Sequence, residues 1–169
     1  DDDGNTVRFD KTQPQLDLIS IQSDNTLIAY ARVGSEVTLS FESNEALSSY
    51  SVTINGNAAA VSYDAVADRF SATYTLVDGD VEGDVTFTID YTDLNGYQGV
   101  QATETLNGTA VEFDKTPPVM STLTYTSNNA NLSTMAKEND VITVNLEADE
   151  NLQSPTITLA TNPSGTPVA

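Results

Sequence analysis

Apolar and polar residues alternate along most of this chain. Val37, Leu39 and Phe41 are interleaved with Thr38, Ser40 and Glu42. Val85, Phe87, Ile89 and Tyr91 are interleaved with Thr86, Thr88 and Asp90, and Phe70, Ala72, Tyr74 and Leu76 follow the same rule. A period of two, rich in Thr, Val, Ile and Tyr, predicts strands with one face in a core and the other in water. The spacing predicts strands near 16–22, 36–42, 50–55, 58–63, 69–77, 84–91 and 98–106, and further strands near 119–126, 141–147 and 156–160. No stretch carries a helical stripe of useful length. The nearest, Ala58 to Val66, is partly β-branched and too short to stand alone.

Turn residues separate these segments: Asn55-Gly56-Asn57, Asp78-Gly79-Asp80 and Asp93-Leu94-Asn95-Gly96. Asn55-Gly56 is a strong type I′ hairpin signal, because both residues tolerate positive φ. Seven short strands within about 100 residues predict an all-β fold, an immunoglobulin-like β-sandwich. The chain has no Cys and no Trp, which excludes an antibody-type core but leaves the architecture intact.

The chain also repeats itself. Val7-Arg8-Phe9-Asp10-Lys11-Thr12-Gln13-Pro14 returns 104 residues later as Val111-Glu112-Phe113-Asp114-Lys115-Thr116-Pro117-Pro118. After one inserted residue, Val37 to Leu47 matches Ile142 to Leu152. A period of one domain length describes whole domains in tandem rather than a solenoid. We expect the tail of a preceding repeat at 1–6, a complete repeat at 7–110, and the N-terminal half of a second at 111–169. A second repeat of only three strands presents an apolar face of Leu123, Val144, Leu146 and Ile157, which is expected to need a cover. Pro14, Pro117 and Pro118 stiffen the start of each repeat. They imply repeats set end to end with little slack.

These features together resemble bacterial Ig-like repeats. The resemblance rests on the Phe-Asp-Lys-Thr-Pro-Pro opening, the Gly79-Asp80-Val81-Glu82-Gly83 turn and the Asp93-Leu94-Asn95-Gly96 turn. Tyr97 departs from the small residue expected after such a turn. The resemblance implies a tandem β-sandwich stalk of a large secreted or surface-anchored adhesin, at the bacterial surface or outside the cell. Its partners would be adjacent repeats of the same chain, with a cell-surface glycan or protein met through other domains.

Charge narrows the partners further. With 25 acidic and 6 basic side chains the net charge is −19. Nucleic acid and anionic lipid are bound through Lys and Arg, so both are excluded as partners. No run of 18 apolar residues exists to insert in a membrane. With no His and no Cys, zinc, thiol and Ser-His-Asp chemistry lose their usual residues. The acid pairs lie on turns without Trp to hold a sugar, which argues against a glycosidase. The expectation is no enzyme.

Carboxylates remain as candidate ligands for Ca²⁺, the one candidate cofactor. Asp78-Gly79-Asp80-Val81-Glu82-Gly83-Asp84 imitates the first half of an EF-hand loop. It fails at position 12, which is Ile89 in a predicted strand. A solvated turn and a Ca²⁺ site shared with a neighbouring loop both stay open there. Strand parity puts Asp78, Asp80 and Glu82 at the exit of the first repeat, facing Asp114, Glu147, Asp149 and Glu150. At the opposite end, where the chain enters, lie Asp10, Glu42 and Glu45, with Asp93 and Asn95 on a turn. Asp10/Asp114, Glu42/Glu147 and Glu45/Glu150 occur in both copies. Asp10 and Asp114 also suit local turns to the following Thr amide. Two functions stay in view: a spacer whose task is length and stiffness, and a binding module using loops that carry Tyr30, Tyr50, Tyr63 and Tyr97.

Overall fold

The alternating face of residues 37–41 is where the core lies. Val37, Leu39 and Phe41 are completely buried, and Thr38 and Ser40 lie half-open between them. The computed structural model describes residues 9–159. The expected tail at 1–6, Val7 and Arg8 of the first opening motif, and the last residue of the strand expected at 156–160 lie outside the described residues.

The chain divides into two units, Asp1–Lys115 and Thr116–Ala169. In chain order the first holds β1 (Leu16–Ser23), β2 (Tyr30–Ala31), β3 (Glu36–Ser43), β4 (Leu47–Ile54), β5 (Asn57–Ala58), β6 (Ala60–Asp64), β7 (Arg69–Thr75), β8 (Gly83–Asp84), β9 (Phe87–Asp93) and β10 (Glu112–Phe113). The second holds β11 (Met120–Ser127) and β12 (Ile142–Ala148). Residues 111–115, counted by sequence with the second copy, pack in the first unit, where Val111 and Phe113 are core residues.

Two sheets of the first unit supply one core, the layering of a β-sandwich. One sheet has the order β1-β3-β7-β6, the other β5-β4-β9. Ile19, Ile21, Val37, Leu39, Phe41, Phe70 and Ala72 from the first meet Val52, Ile54, Phe87, Ile89 and Tyr91 from the second. Phe41 stacks on Phe70 with ring centroids 4.9 Å apart and planes 8° from parallel. A third sheet, β2-β10-β8, closes the side of the core with Val111 and Phe113. The β4–β5 hairpin has the turn its sequence predicts: Asn55 and Gly56 hold φ of 50° and 79° between the paired Ile54 and Asn57.

The strand expected over 84–91 is divided, because Gly83–Asp84 pairs with β10 while Phe87–Asp93 pairs with β4. The segment expected as a strand at 98–106 makes two isolated bridges only, Thr92 to Gln98 and Ile89 to Ala102. Four residue steps on one side oppose three on the other, so the ladder carries an extra residue, as in a β-bulge. Gly99 lies there, and its amide donates to the Tyr91 carbonyl at 2.9 Å.

In the second unit β11 pairs β12 in the register of β1 with β3. Ile19 faces Phe41 and Ser23 faces Val37; Leu123 faces Leu146 and Ser127 faces Ile142. The irregularity also falls at one place, between Leu16 and Leu18 and between Met120 and Thr122. Loop bonds follow. The Gln15 amide donates to Asn44 Oδ1 and the Asn44 amide to the Gln15 carbonyl; Val119 and Asp149 make the same reciprocal pair. Arg32 and Ser35 are matched likewise by Lys137 and Asp140. The expected apolar face is open: Leu123 is 61 % and Ile157 50 % exposed, with Val144 and Leu146 half-buried.

A Cβ built on Gly99 would stand 2.1 Å from Tyr91 Cε2. The ring cannot retreat freely, because Tyr91 is a core residue. Gly99→Ala is expected to cost about 1–3 kcal/mol of stability by denaturant titration. Gly79→Ala, with open space around it, should be nearly silent.

Candidate functional site

Three acidic residues distant in sequence meet at the end of the first unit where the chain enters. One carboxylate oxygen each from Asp10, Glu45 and Asp93 lie within 4.8 Å of one another. Asp10 is on the segment before β1, Glu45 on the β3–β4 loop, and Asp93 ends β9.

Asp93 builds its own turn. Its Oδ1 accepts the amides of Asn95 and Tyr97, each at 2.8 Å. Its backbone amide donates to the Tyr97 carbonyl at 3.0 Å, and Gly96 relieves the turn at φ 91°. Tyr97, the residue that departs from the expected small side chain, thus serves through its backbone. The Asp93 side chain is fully buried, and Oδ2 has no hydrogen-bond partner among the described residues. A buried carboxylate oxygen without a partner is costly.

Asp10 is fixed from both sides. Oδ1 accepts the Thr12 amide at 2.9 Å and the Thr12 hydroxyl at 2.7 Å, the local turn that its sequence suits. Oδ2 accepts Asn95 Nδ2 at 2.9 Å. The Thr12 amide, then the Thr12 hydroxyl, hold the Asp10 carboxyl below its ordinary pKa, with Asn95 adding to them against a smaller opposing effect of burial. Asn95 therefore ties the Asp93 turn to the segment before β1. Glu45 is shifted the other way: burial, then the charges of Asp10 and Asp93, push its pKa up.

Glu42 is not in this group. It stands on the outward face of β3 and accepts Arg69 Nε and Nη2 on one oxygen, at 2.8 and 2.6 Å. Glu147, at the equivalent register position of the second unit, accepts the Thr122 hydroxyl at 3.1 Å.

The exit-end acids are arranged differently. Asp80 is buried and saturated: Oδ1 accepts Asn57 Nδ2 at 2.9 Å and the Tyr74 hydroxyl at 3.2 Å, and Oδ2 accepts the Val77 amide at 2.8 Å. Burial, then the bond to Asp80, push the Tyr74 hydroxyl pKa up. Lys115 Nζ donates to the carbonyls of Asp78 and Asp80, and its amide to Glu82 Oε1. Asp78 is exposed, and the Asp114 amide continues the third sheet by donating to the Ala31 carbonyl. An ammonium group thus sits over this turn, where the sequence left a cation site open. Asp149, which the sequence sets opposite this turn, caps its own unit through the Val119 amide.

Comparison with known protein families, curated proteins and solved structures gives no match.

Two outcomes test this electrostatic picture. Asp80→Ala leaves three donors without their acceptor and is expected to cost on the order of 1–3 kcal/mol for each that stays buried. At the Asp10 end, a raised pKa means that the folded state holds the Glu45 proton more tightly than the unfolded chain. The stability contribution of this group is favourable at low pH. It is lost as pH rises from the ordinary glutamate value through the folded one. Without divalent cations, Glu45→Gln should therefore raise the melting temperature at pH 7. The gain should vanish near pH 4.

Proposed function

We propose that the chain is a non-catalytic structural repeat, a spacer of a long extracellular bacterial adhesin built from Ig-like units in tandem. The observation that carries this reading is the direction of the terminal segments of the first unit. The Leu106 amide donates to the Ile19 carbonyl, Thr109 Oγ1 accepts the Ile21 amide, and the Glu112 and Asp114 amides donate to the carbonyls of Ala29 and Ala31. Residues 106–114 thus run parallel to β1 and then to β2. Two adjacent parallel end segments make the chain enter this unit at one end and leave at the other. That geometry suits a link in a series.

The repeated opening motif supports the same reading. Phe113 closes the core of the unit that the chain is leaving, whereas its counterpart Phe9 is 82 % exposed. The next residue, Asp10, is tied into the unit that the chain is entering, through Asn95. Such a division of roles within one motif is what joined copies require. The shared register of β1–β3 and β11–β12 adds to it.

A binding module is the second reading, favoured by one groove of about 480 Å³ lined by Tyr50, Tyr63, Phe70, Glu45 and Asp68. Tyr50 and Tyr63 both lean on the Phe70 ring, at 4.9 and 4.6 Å between centroids. Their contact with a core ring gives them a packing role, which weighs for the spacer.

The two readings separate on a glycan array probed with the full chain. A spacer gives a blank array. Micromolar binding abolished by Tyr50→Ala and Tyr63→Ala would overturn it. Force spectroscopy provides a positive test. Pulled by its two ends, the first unit loads the 106–114 seam in shear, and it should resist more force than when pulled across β4 and β9. Equal resistance in both directions would remove the argument from the parallel seam.

A further inference from the structure

We propose that Asp10, Glu45 and Asp93 bind one Ca²⁺ ion within the first unit, which clips the segment before β1 to the β9 turn. Two independent observations meet here. The first is the convergence of three carboxylates from positions 10, 45 and 93, with one oxygen of each inside a 4.8 Å sphere of separation. Two oxygens on opposite sides of a Ca²⁺ ion lie roughly 4.6–5.2 Å apart, twice the Ca–O distance. The second is Asp93 Oδ2, buried and without a partner among the described residues, on a carboxylate whose other oxygen is committed to two amides. A cation supplies what that oxygen lacks and offsets the repulsion among three like charges.

The ligand chemistry selects the ion. All three donors are hard, charged oxygens, and the chain has no His or Cys for a softer metal. Asp10 and Glu45 are half-exposed, so water has access to complete the six to eight ligands that Ca²⁺ takes. Mg²⁺ demands near-ideal octahedral geometry and dehydrates reluctantly, which three side chains from three separate segments do not serve as well. Asn95 sets the geometry: its side chain holds Asp10 and its amide holds Asp93, so two of the three ligands are in place before the ion arrives. The site lies in one unit and does not depend on the spacer reading.

The test is calorimetric titration of the full chain, stripped with chelator, against CaCl₂ and separately against MgCl₂. Melting curves in millimolar Ca²⁺ and in chelator accompany it. Ca²⁺ is expected to bind with release of heat or uptake of it, to raise the melting temperature, and to bind more tightly than Mg²⁺. Asp93→Asn keeps an oxygen for the Asn95 and Tyr97 amides, so the turn should fold; circular dichroism in chelator checks this. It should weaken Ca²⁺ by at least the roughly tenfold that even outer-sphere partners are worth. Glu45→Gln gives an opposed pair of readouts: a higher melting temperature in chelator and a smaller rise on adding Ca²⁺. The proposal is overturned if wild-type melting is the same in Ca²⁺ and chelator. It is overturned equally if both variants keep the wild-type affinity, which would place binding on the diffuse acidic surface. A blank glycan array or an isotropic force response bears on the spacer reading and leaves these outcomes unchanged.

Discussion

The seam along which residues 106–114 return beside β1 and β2 is the constraint on which the first unit depends. Without it, two facing sheets would leave their common core open at one side. Val111 and Phe113 fill that side, and both are almost wholly buried. The bonds that hold the segment are few but distributed, from Leu106 at one end to Asp114 at the other. Thr side chains contribute where backbone pairing lapses: Thr109 Oγ1 takes the Ile21 amide, and the Thr105 hydroxyl donates to the Thr109 carbonyl. Because the segment runs parallel to β1, it also decides where the chain leaves, and hence where Lys115 can reach. Core closure and the neutralised exit turn are consequences of one strand direction.

A chain with net charge −19 must dispose of its carboxylates, and the first unit does so in several physically different ways. Glu42 takes Arg69 on the open face of a sheet, an exposed pair of the kind usually worth about 0–1 kcal/mol. Asp80 is buried but meets three donors, so its charge is spread over hydrogen bonds. Asp64 accepts the amides of Val66 and Ala67, which hold its pKa down in a turn. At the Asp10 end the hydrogen bonds run out before the carboxylate oxygens do. What distinguishes that end is therefore the shortage of donors rather than the density of acids, which is higher in sequence at 78–84.

That difference explains how far the site was legible in the sequence. Strand faces follow from period two, and the long strands fall where alternation sets them. The two-residue strands β2 and β10 carry no period to detect, and the break at 98–106 depends on how closely Gly99 approaches Tyr91. Asp10, Glu45, Asp93 and Asn95 are placed at one end by strand parity alone. Separating Glu42 from them needs the β3–β7 register, which sets Phe41 opposite Phe70 and so brings Arg69 beside Glu42. The partners of the exit turn are illegible in the sequence for a related reason. Spacing of Asp78, Asp80 and Glu82 imitates ligands, but the Asp80 carboxylate is taken by Asn57 and Tyr74, 23 and 6 residues away, and that of Glu82 by the Lys115 amide, 33 residues away.

The Asp93 turn does not by itself call for a charged residue. Its two amides need one acceptor oxygen, and the side-chain carbonyl of Asn offers that at the same position. Asn would also remove a carboxylate from beside Asp10 and Glu45. On turn geometry alone, then, Asp is the worse choice, since it brings a second, unpartnered oxygen and a negative charge into a fully buried place. The two neighbours compound the cost: Asp10 is held ionised chiefly by Thr12, and Glu45 is shifted upward by burial and then by the charges of Asp10 and Asp93. An ionised Asp10, a Glu45 pushed toward its neutral form and a buried Asp93 oxygen without a donor leave this end short of positive charge. The unused oxygen of Asp93 is the part of the site that neither the turn nor the core explains.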